Sequence, residues 1–422
     1  MANEFSKEER VAFEDVLEGF NDALTISRNV AKFGTDGQLM ERANDTIWRP
    51  SPYILNSQDR IVGSEITFQD VAQLSVPSSL GYQKSVPWKM DALQLRDALQ
   101  EGRLGKAAYQ RLASDVNTAV RDVASLQGSI VVAITGAAGD YDDIALCESA
   151  MNEQGIPEGD RYLALSTRDY NGLAGDLAGR STMTGKPTTA YEKSYVGMVA
   201  GFETYKMDAG KRIGANGATV TMDTTGAQVQ FVPQATRTAA TGERSNVDNR
   251  YQQITVSTTS GVTAGDAFTV DGIESVHHLH KEATGQAKTF RVISVDSGTT
   301  MTISPPMIGA NQASPTDPEL AYKNIEVAST SGTASLTFLN GTAAAINPFW
   351  HKDSIELLPG RYAVPTDQGP AVTRGTTDQG LEVVMTKTFN TKTFVSEFTL
   401  DCLWGVVNTN PEMNGMLIFG QS

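Results

Sequence analysis

Residues 106–127, KAAYQRLASDVNTAVRDVASLQ, carry the clearest helical pattern of the chain, and the other segments are arranged around it. Apolar side chains recur there at three- and four-residue spacing, which is typical of a helix with one buried face: Ala108, Leu112, Val116, Ala119, Val120 and Val123. At 1.5 Å per residue the predicted helix is roughly 33 Å long, which is long for a small globular fold. We expect Gly102 and Gly105 to interrupt the helix near its start. The stretch therefore predicts a spine helix.

Two further patterns precede the spine. Residues 13–24 have an apolar face and an acidic face at helical spacing. The apolar face carries Phe13, Val16, Leu17, Phe20 and Leu24, and the other carries Glu14, Asp15, Glu18 and Asp22. Residues 46–86 contain short β-like pieces broken by Pro50, Pro52, Gly63 and Pro77. We expect an amphipathic helix followed by a long two-stranded excursion.

Downstream of the spine the pattern changes twice. Apolar runs at 130–134 and 162–165 alternate with helical spacing at 142–152 and 168–179, which predicts a mixed α and β region. Residues 211–345 are rich in threonine and poor in charge, with strands expected near 254–256, 268–270, 290–295 and 301–303. Asp271-Gly272 and Ser297-Gly298 are expected in turns. The simplest organisation is an α/β core interrupted by a small all-β barrel or sandwich.

Composition excludes several classes of protein. The chain has 422 residues, with 34 Lys and Arg against 49 Asp and Glu, so its net charge of -15 argues against a surface that neutralises phosphates or anionic lipid. Cys147 and Cys402 are too few for a disulfide framework or a zinc cluster and fit a reducing compartment. The charged amino terminus does not resemble a secretion signal, and we expect no membrane span. A cytosolic globular protein of about two to three units is expected.

Patterns that could support chemistry are weak. Gly136-Ala137-Ala138-Gly139 follows an apolar run as a dinucleotide-binding turn would, but it lacks the third glycine, and Asp140 would repel phosphate. Residues 179–187, GRSTMTGKP, depart from the phosphate-loop spacing. His278 and His280 would share one face of a strand, as two metal ligands might, but they lack a third ligand at suitable spacing, and His351 stands alone. We expect no catalytic residue, no cofactor and no physiological metal.

The remaining features are architectural. An acidic arm, a long β excursion, a spine helix and a β module with charged hairpins suit a subunit that clasps its neighbours. We therefore interpret the chain as an assembly protein. Two alternatives stay open. One is another virion protein, such as a tail-tube or decoration protein, which we expect to lack the spine helix. The other is a nucleotide-dependent α/β enzyme that uses residues 136–139.

Seven strings, in the same order over nearly the whole chain, resemble the major coat protein of short-tailed Salmonella-type bacteriophages. They are NDTIWRP (44–50), the spine text of 107–132, YLALSTRDYNGLAGDL (162–177), VAGF (199–202), NVDNR (246–250), NPFW (347–350) and LWGVVNTNPEMNG (403–415). The resemblance implies an α+β tailed-phage capsid fold that carries an inserted all-β barrel domain.

The resemblance also implies a division into six segments. They are an N-terminal arm (1–45), an extended β loop (46–89), the spine helix of a peripheral domain (90–128), an axial domain (129–212), the inserted β-barrel domain (213–345) and a C-terminal return through the axial and peripheral domains (346–422). In such proteins the extended loop lies over a neighbouring subunit of the same capsomer. The inserted domain aids folding and stabilises contacts between capsomers.

The function that the resemblance implies is structural and not enzymatic. Copies of a major capsid protein would assemble in the host cytoplasm as hexamers and pentamers, together with a scaffolding protein and a portal protein. The icosahedral procapsid would expand when double-stranded DNA is packaged, and it would enclose the DNA without sequence-specific binding and without a membrane.

Two groups of site residues follow from the same resemblance. In the family, the basic end of the scaffolding protein contacts acidic residues that match Glu14, Asp15 and Glu18 here. A charged hairpin of the inserted domain, between residues 233 and 248, would make the contacts between capsomers. Its candidate residues are Arg237, Glu243, Arg244 and Asp248.

Overall fold

The computed structural model describes two compact units. The described residues are 13–20, 24–33, 46–57, 62–63, 65–66, 68–91, 98–179, 190, 193–207, 210–327, 332–363 and 371–420. The first unit comprises Met1–Ile47, Ser78–Arg121 and Ile355–Val407, and the second comprises Trp48–Pro77, Asp122–Ser354 and Asn408–Ser422. Each unit combines three separate stretches of the chain, so pairing between distant residues holds it together. The six segment limits implied by the resemblance stay predictions.

The described residues of the first unit combine a six-stranded sheet with two α-helical segments. Its strands are Ala31–Lys32, Tyr82–Asp91, Ile355–Pro359, Ala371–Thr376, Glu382–Asn390 and Val395–Asn408. The longest of them, Val395–Asn408, pairs antiparallel with both Glu382–Asn390 and Tyr82–Asp91. Residues 13–20 are helical, and the spine helix is Ala98–Gln127, of which the part up to Arg121 belongs to this unit.

The spine helix runs without a break through both early glycines, so the predicted interruption at Gly102 and Gly105 is wrong. At Gly105, a Cβ atom would lie 3.1 Å from Val16 Cγ2 of the helical residues 13–20. On the other side of this contact, a Cβ atom at Gly19 would lie 2.6 Å from the ring of Tyr109. Glycine lets the two helices approach closely, and their packing outweighs the penalty of about 1 kcal/mol for glycine in a helix. The predicted apolar face is buried, including Leu112, Val116 and Val120.

The second unit contains a mixed sheet with helices packed against it. Its strands follow the order Ile130–Ile134, Asn414–Phe419, Asn347–His351, Arg161–Ser166, Phe202–Met207 and Met198–Val199. The helices are Tyr141–Glu153 and Thr167–Gly179, and their apolar side chains share one core with the sheet. This alternation of strand and helix from 130 to 179 confirms the prediction of a mixed α and β region.

The inserted segment of the second unit is a nearly closed barrel, as predicted. Its seven strands are Val220–Asp223, Gln252–Thr255, Ala267–Val276, Ala283–Val295, Thr300–Ser304, Ile325–Val327 and Thr333–Phe338. The two end strands meet through a bridge between Met222 and Val256. Inside, the rings of Phe268 and Phe290 stack with their centroids 5.7 Å apart. Alternating inward side chains thus fill the barrel with one hydrophobic core.

The expected turn at Asp271-Gly272 is wrong. Both residues lie inside the strand Ala267–Val276, where the pairing with Ala283–Val295 shifts register between Thr269 and Glu274. Gly272 has a φ of 75°. The left-handed conformation that makes Asp-Gly a hairpin signal also suits a β-bulge, and here the bulge bends a long strand around the barrel. The turn at Ser297-Gly298 is confirmed.

Short pieces complete the described part of the second unit and its borders. They are the strand pairs Thr46–Pro50 with Ser75–Ser79, Arg212–Ile213 with Ala344–Ala345, and Thr236–Thr238 with Arg244–Asn246, together with the helix Asp317–Tyr322. The first pair confirms a two-stranded start and return for the excursion. Among the helices of the described residues, none is both long and apolar enough to span a membrane.

The barrel core allows a direct test of stability. Phe290 is fully buried, and we expect Phe290→Ala to lower the free energy of unfolding by about 3–5 kcal/mol, because it loses the transfer free energy of the ring and leaves a cavity. Urea unfolding of the full chain, with hydrogen exchange of the strand Ala283–Val295, measures the loss. The matched control is Leu279→Ala, since Leu279 is 67% exposed. Equal effects of the two substitutions would contradict the assigned core.

Candidate functional site

The helical residues 13–20 present an acidic face. Phe13 and Val16 are buried, and Phe13 approaches Gly375 so closely that a Cβ atom there would lie 2.9 Å from the ring. Glu14, Asp15 and Glu18 are all exposed, as the periodicity predicts. Asp22 lies outside the described residues. The three described carboxylates therefore form one solvent-facing patch on a helix that is anchored by its opposite face; we call it the acidic patch.

The predicted charged hairpin is present in the second unit. Thr236–Thr238 pairs with Arg244–Asn246, with Arg237 opposite Ser245 and Thr238 opposite Arg244. The tip is closed by hydrogen bonds from Ala239 N to Glu243 O at 2.8 Å and from Gly242 N to Ala239 O at 2.9 Å. Every residue of both strands is exposed, so Arg237 and Arg244, with Glu243 at the tip, face solvent in the subunit. We call residues 236–246 the charged hairpin.

Asp248 differs from the other three hairpin candidates. Its carboxylate accepts two hydrogen bonds from the guanidinium of Arg250, at 2.6 Å from Nη2 and 2.9 Å from Nε. Arg250 Nη1 donates to Asn408 O at 2.7 Å. Arg250 was not among the residues predicted from the sequence. The sequence shows that Asp248 and Arg250 are two positions apart. It does not show that Arg250 also binds the distant carbonyl group of Asn408.

The excursion exposes large apolar side chains. Between Trp48 and Pro77 these are Tyr53, Leu55, Val62, Ile66, Phe68 and Val71. Phe68 is 93% exposed and Val62 is 99% exposed. Exposed apolar residues are ordinary singly, but a run of them on one segment is typical of an interaction surface.

The second unit also contains a partly buried ionic cluster that the sequence did not predict. Lys288 Nζ donates to Glu412 Oε1 at 2.5 Å, and Asn324 Nδ2 donates to the same oxygen at 3.3 Å. Burial tends to raise the pKa of Glu412, but the charges of Lys288 and its neighbours outweigh this effect and hold the pKa below its usual value. Lys281 Nζ donates to Lys323 O at 3.1 Å, and burial lowers the pKa of Lys281 to about 8.

His278 lies beside this cluster, and none of His277, His278 and His280 is on a strand, whereas His351 ends the strand Asn347–His351. Residues 278–280 form the turn after Ala267–Val276, so the prediction that His278 and His280 share a strand face is wrong. His277 Nδ1 accepts hydrogen bonds from the backbone N–H groups of Leu279 and His280, both at 3.2 Å. Burial lowers the pKa of His278. The described residues contain no group of three or more potential metal ligands.

The glycine turn at 136–139 is filled by the protein itself. Gly139 N and Asp140 N both donate to Asp143 Oδ2, at 3.1 Å and 3.2 Å. A carboxylate therefore occupies the helix N-terminus where a pyrophosphate would bind. Residues 180–187 of the near phosphate loop lie outside the described residues. Cys147 and Cys402 are buried, and burial raises the pKa of Cys402 to about 12, so neither thiol is an activated nucleophile.

A family model described as P22 coat protein, gene protein 5, matches residues 1–420. A solved structure of Mycobacterium phage Che8 aligns with 93% of this chain and 90% of its own, at 8% identity and a TM-score of 0.45. The capsid of Cyanophage P-SCSP1u aligns with 93% of this chain and 86% of its own, at 11% identity and a TM-score of 0.42. The CUS-3 coat protein I-domain aligns over 99% of its length with 30% of this chain, at 35% identity and a TM-score of 0.22.

The ionic cluster predicts a pH dependence of stability. The pKa of Lys281 is about 8 in the folded chain and near its ordinary 10.5 when unfolded, so the unfolded chain binds more protons between these values. The free energy of unfolding should therefore rise with pH from 8 to 10.5, by at most about 1.4 kcal/mol per pH unit from this residue. Urea unfolding at pH 7.5, 8.5 and 9.5 measures the slope. Lys281→Gln should remove this contribution, whereas Lys392→Gln, at an exposed lysine, should retain it. Identical slopes in all three proteins would contradict the assignment.

Proposed function

The chain belongs to the P22 coat protein family, and on that premise we propose that it co-assembles with a scaffolding protein into an icosahedral procapsid that expands when DNA is packaged. The family makes it the major capsid protein of a tailed phage, which self-associates to form the virion capsid. Its fold class is the predicted α+β tailed-phage capsid fold with an inserted barrel. The family is structural, which confirms that the chain is not an enzyme.

The observation that carries the proposal is the row of exposed apolar side chains on the excursion. Full burial of one such side chain against a neighbour would contribute about 1.5–3 kcal/mol. The monomer gains nothing from their exposure, whereas a lattice of copies buries them in every subunit. This supports the expectation that the extended loop lies over the next subunit of a hexamer or pentamer.

The acidic patch supports an ionic interaction with a scaffolding protein. The patch consists of three exposed carboxylates, Glu14, Asp15 and Glu18, so a basic partner is the complementary chemistry. Exposed charge pairs are individually weak and are screened by salt. Such a contact can form during assembly in the host cytoplasm and dissolve when the shell matures.

The charged hairpin supports contacts between capsomers. Three charged side chains of the hairpin are exposed and do not pack in the core, so they can form ion pairs with a facing copy. They are Arg237, Glu243 and Arg244. Asp248 is the weaker candidate, because it already accepts two hydrogen bonds from Arg250. An exposed ion pair contributes roughly 0.2–1 kcal/mol, and a closed shell repeats it many times. Weak repeated contacts also let a misplaced subunit dissociate.

The net charge agrees with a container for DNA. With a charge of -15, the subunit would not bind phosphates tightly, so packaging through a portal protein would be driven by a motor and not by affinity for the shell. Expansion would be a rigid-body rearrangement of compact units, accompanied by reorganised arms and loops. No chemical step is required.

Co-assembly tests the proposal directly. The chain is expressed with its cognate scaffolding protein, and the particles are examined by electron microscopy. We expect closed shells from the natural chain and few or none from Phe68→Ser, because the serine cannot contribute apolar area to the contact. Leu279→Ser, at an exposed leucine outside the loop, is the matched control and should leave the yield unchanged. Only monomers or amorphous aggregates from the natural chain would sink the proposal.

A second test addresses the acidic patch. Replacing Glu14, Asp15 and Glu18 together by Lys should reduce binding of scaffolding protein to the soluble subunit by at least tenfold, because attraction becomes repulsion. Sedimentation of the mixture at low and high salt measures the binding. The control replaces Glu153, Asp271 and Glu282 by Lys, which changes the net charge equally at other exposed positions. Equal loss in both proteins would mean that only the net charge matters and that the patch is not the site.

A further inference from the structure

Four segments of the second unit meet at Asp248 and Arg250. Asp248 forms a parallel β-bridge with Ser75, on the return side of the excursion. Arg250 binds the carbonyl group of Asn408, where the chain returns toward its last strand. The barrel strand Gln252–Thr255 begins two positions later, and the charged hairpin ends two positions before Asp248. Asp248 and Arg250 therefore lie next to both the excursion and the charged hairpin, which are the two surfaces proposed to bind neighbouring subunits.

The guanidinium of Arg250 holds these segments in a fixed geometry. Nε and Nη2 bind the two oxygens of Asp248 side by side, and Nη1 reaches the buried Asn408. A planar fork of donors fixes direction as well as distance, which an ammonium group does not. The Arg250 side chain is 12% exposed and that of Asp248 is 23% exposed, so the pair is only weakly screened by solvent.

The base of the charged hairpin is closed at the same place. Asn249 Nδ2 donates to Gln234 O at 2.9 Å, and Gln234 N donates to Asn249 Oδ1 at 3.0 Å. These two bonds clamp the chain just before and just after the hairpin. A rotation of the hairpin about its base must therefore act on residues 248–250.

The excursion is tethered to the barrel domain by two more contacts on its return side. Asp70 N donates to Asp317 Oδ2 at 2.7 Å, and Tyr322 Oη donates to Ala72 O at 3.3 Å. The two partners are the first and last residues of the short helix Asp317–Tyr322. A cavity of about 140 Å³ lies behind the junction and is lined by Ser75, Asn249, Arg250 and Tyr322 among others. Residues 70–75, on the return side of the excursion, are thus held by directional polar contacts, and they border a cavity into which they can shift.

We propose that Arg250 is a positioning residue that couples the charged hairpin to the excursion of residues 46–86, the segment called the extended loop in the family. A neighbour bound at the hairpin then biases the orientation of the loop, and a neighbour under the loop biases the hairpin. The two surfaces are proposed to bind different neighbours, so contacts between capsomers and contacts within one capsomer would be coupled. The identity of these neighbours as further copies rests on the proposed function, but the coupling itself is a property of the single subunit.

Hydrogen exchange of the soluble full-length subunit tests the coupling. We expect Arg250→Met to accelerate exchange of the amides at residues 72–76 at least tenfold, because it keeps the aliphatic stem and removes every directional bond. Arg250→Lys keeps the charge and should give an intermediate acceleration. Exchange in the barrel strand Ala283–Val295 should stay at its natural rate in both variants. Arg168→Met, at an exposed arginine of the helix Thr167–Gly179 and outside both surfaces, is the matched control and should leave exchange at residues 72–76 unchanged.

A second measurement distinguishes coupling between the charged hairpin and residues 72–76 from a local loss of structure around Arg250. Thr238→Cys with Arg244→Cys places two thiols at opposed positions of the hairpin, and oxidation would then stiffen it. Oxidation should change exchange at residues 72–76 at least threefold when Arg250 is present and should leave it unchanged when Arg250→Met is added. The proposal is overturned by natural exchange at 72–76 in Arg250→Met, by equal acceleration throughout the barrel in both Arg250 variants, or by an oxidation effect that does not depend on Arg250. Each measurement uses the unassembled subunit, so failure to form shells would not affect the outcome.

Discussion

Arg291 and Thr289, on one strand of the inserted barrel, bind one carbonyl group in the last turn of the spine helix and one just beyond its end. Arg291 Nη2 donates to Ser125 O, and Thr289 Oγ1 donates to Ser129 O at 2.6 Å. The last turn of the helix contains no basic residue of its own, so the barrel supplies the cation that complements the negative end of the helix dipole. Burial lowers the pKa of Arg291 to about 9, and its Nε and Nη1 find no acceptor among the described residues. This contact is costly to bury, which suits a role in specifying geometry more than in adding stability.

The position of the barrel in the chain follows from the mixed sheet. The strand Arg161–Ser166 has Phe202–Met207 on one side and Asn347–His351 on the other, so the chain leaves and re-enters the sheet two strand spacings apart, about 10 Å. The short pair Arg212–Ile213 with Ala344–Ala345 joins the two connecting segments. A domain whose ends lie close together can be inserted without disturbing its host. The barrel then acts on its host through side chains, at the end of the spine helix, in the ionic cluster around Glu412 and at Arg250.

Local patterns predicted the elements that depend on local physics. The apolar stripe of the spine helix, the amphipathic residues 13–20 and the strands of the barrel follow from spacing and composition, because burial of one face requires that spacing. Each prediction that was wrong involved a residue that is compatible with two local structures. Gly105 breaks a helix or admits a neighbouring one, and Asp271-Gly272 makes a turn or a bulge. His278 lies on a strand or in the turn that follows it. At Gly105 the deciding contact comes from Val16, at Gly272 from the register shift against the strand Ala283–Val295, and at His278 from the hydrogen bond of its backbone N–H to Gln154 O at 2.9 Å.

The sequence by itself determined the class of the molecule: an acidic chain with a spine helix, an inserted β module and an acidic helix face, with the order of motifs that indicates its family. Hydrophobic periodicity, net charge and the order of the family motifs are properties of the linear sequence, so they can be determined without coordinates. Only the tertiary structure decided which side chains meet. Lys288 and Glu412 are 124 positions apart, and Arg250 and Asn408 are 158 apart. No spacing rule links such positions, because their contact is produced by strand order and loop closure, which bring distant parts of the chain together only when the whole unit is folded.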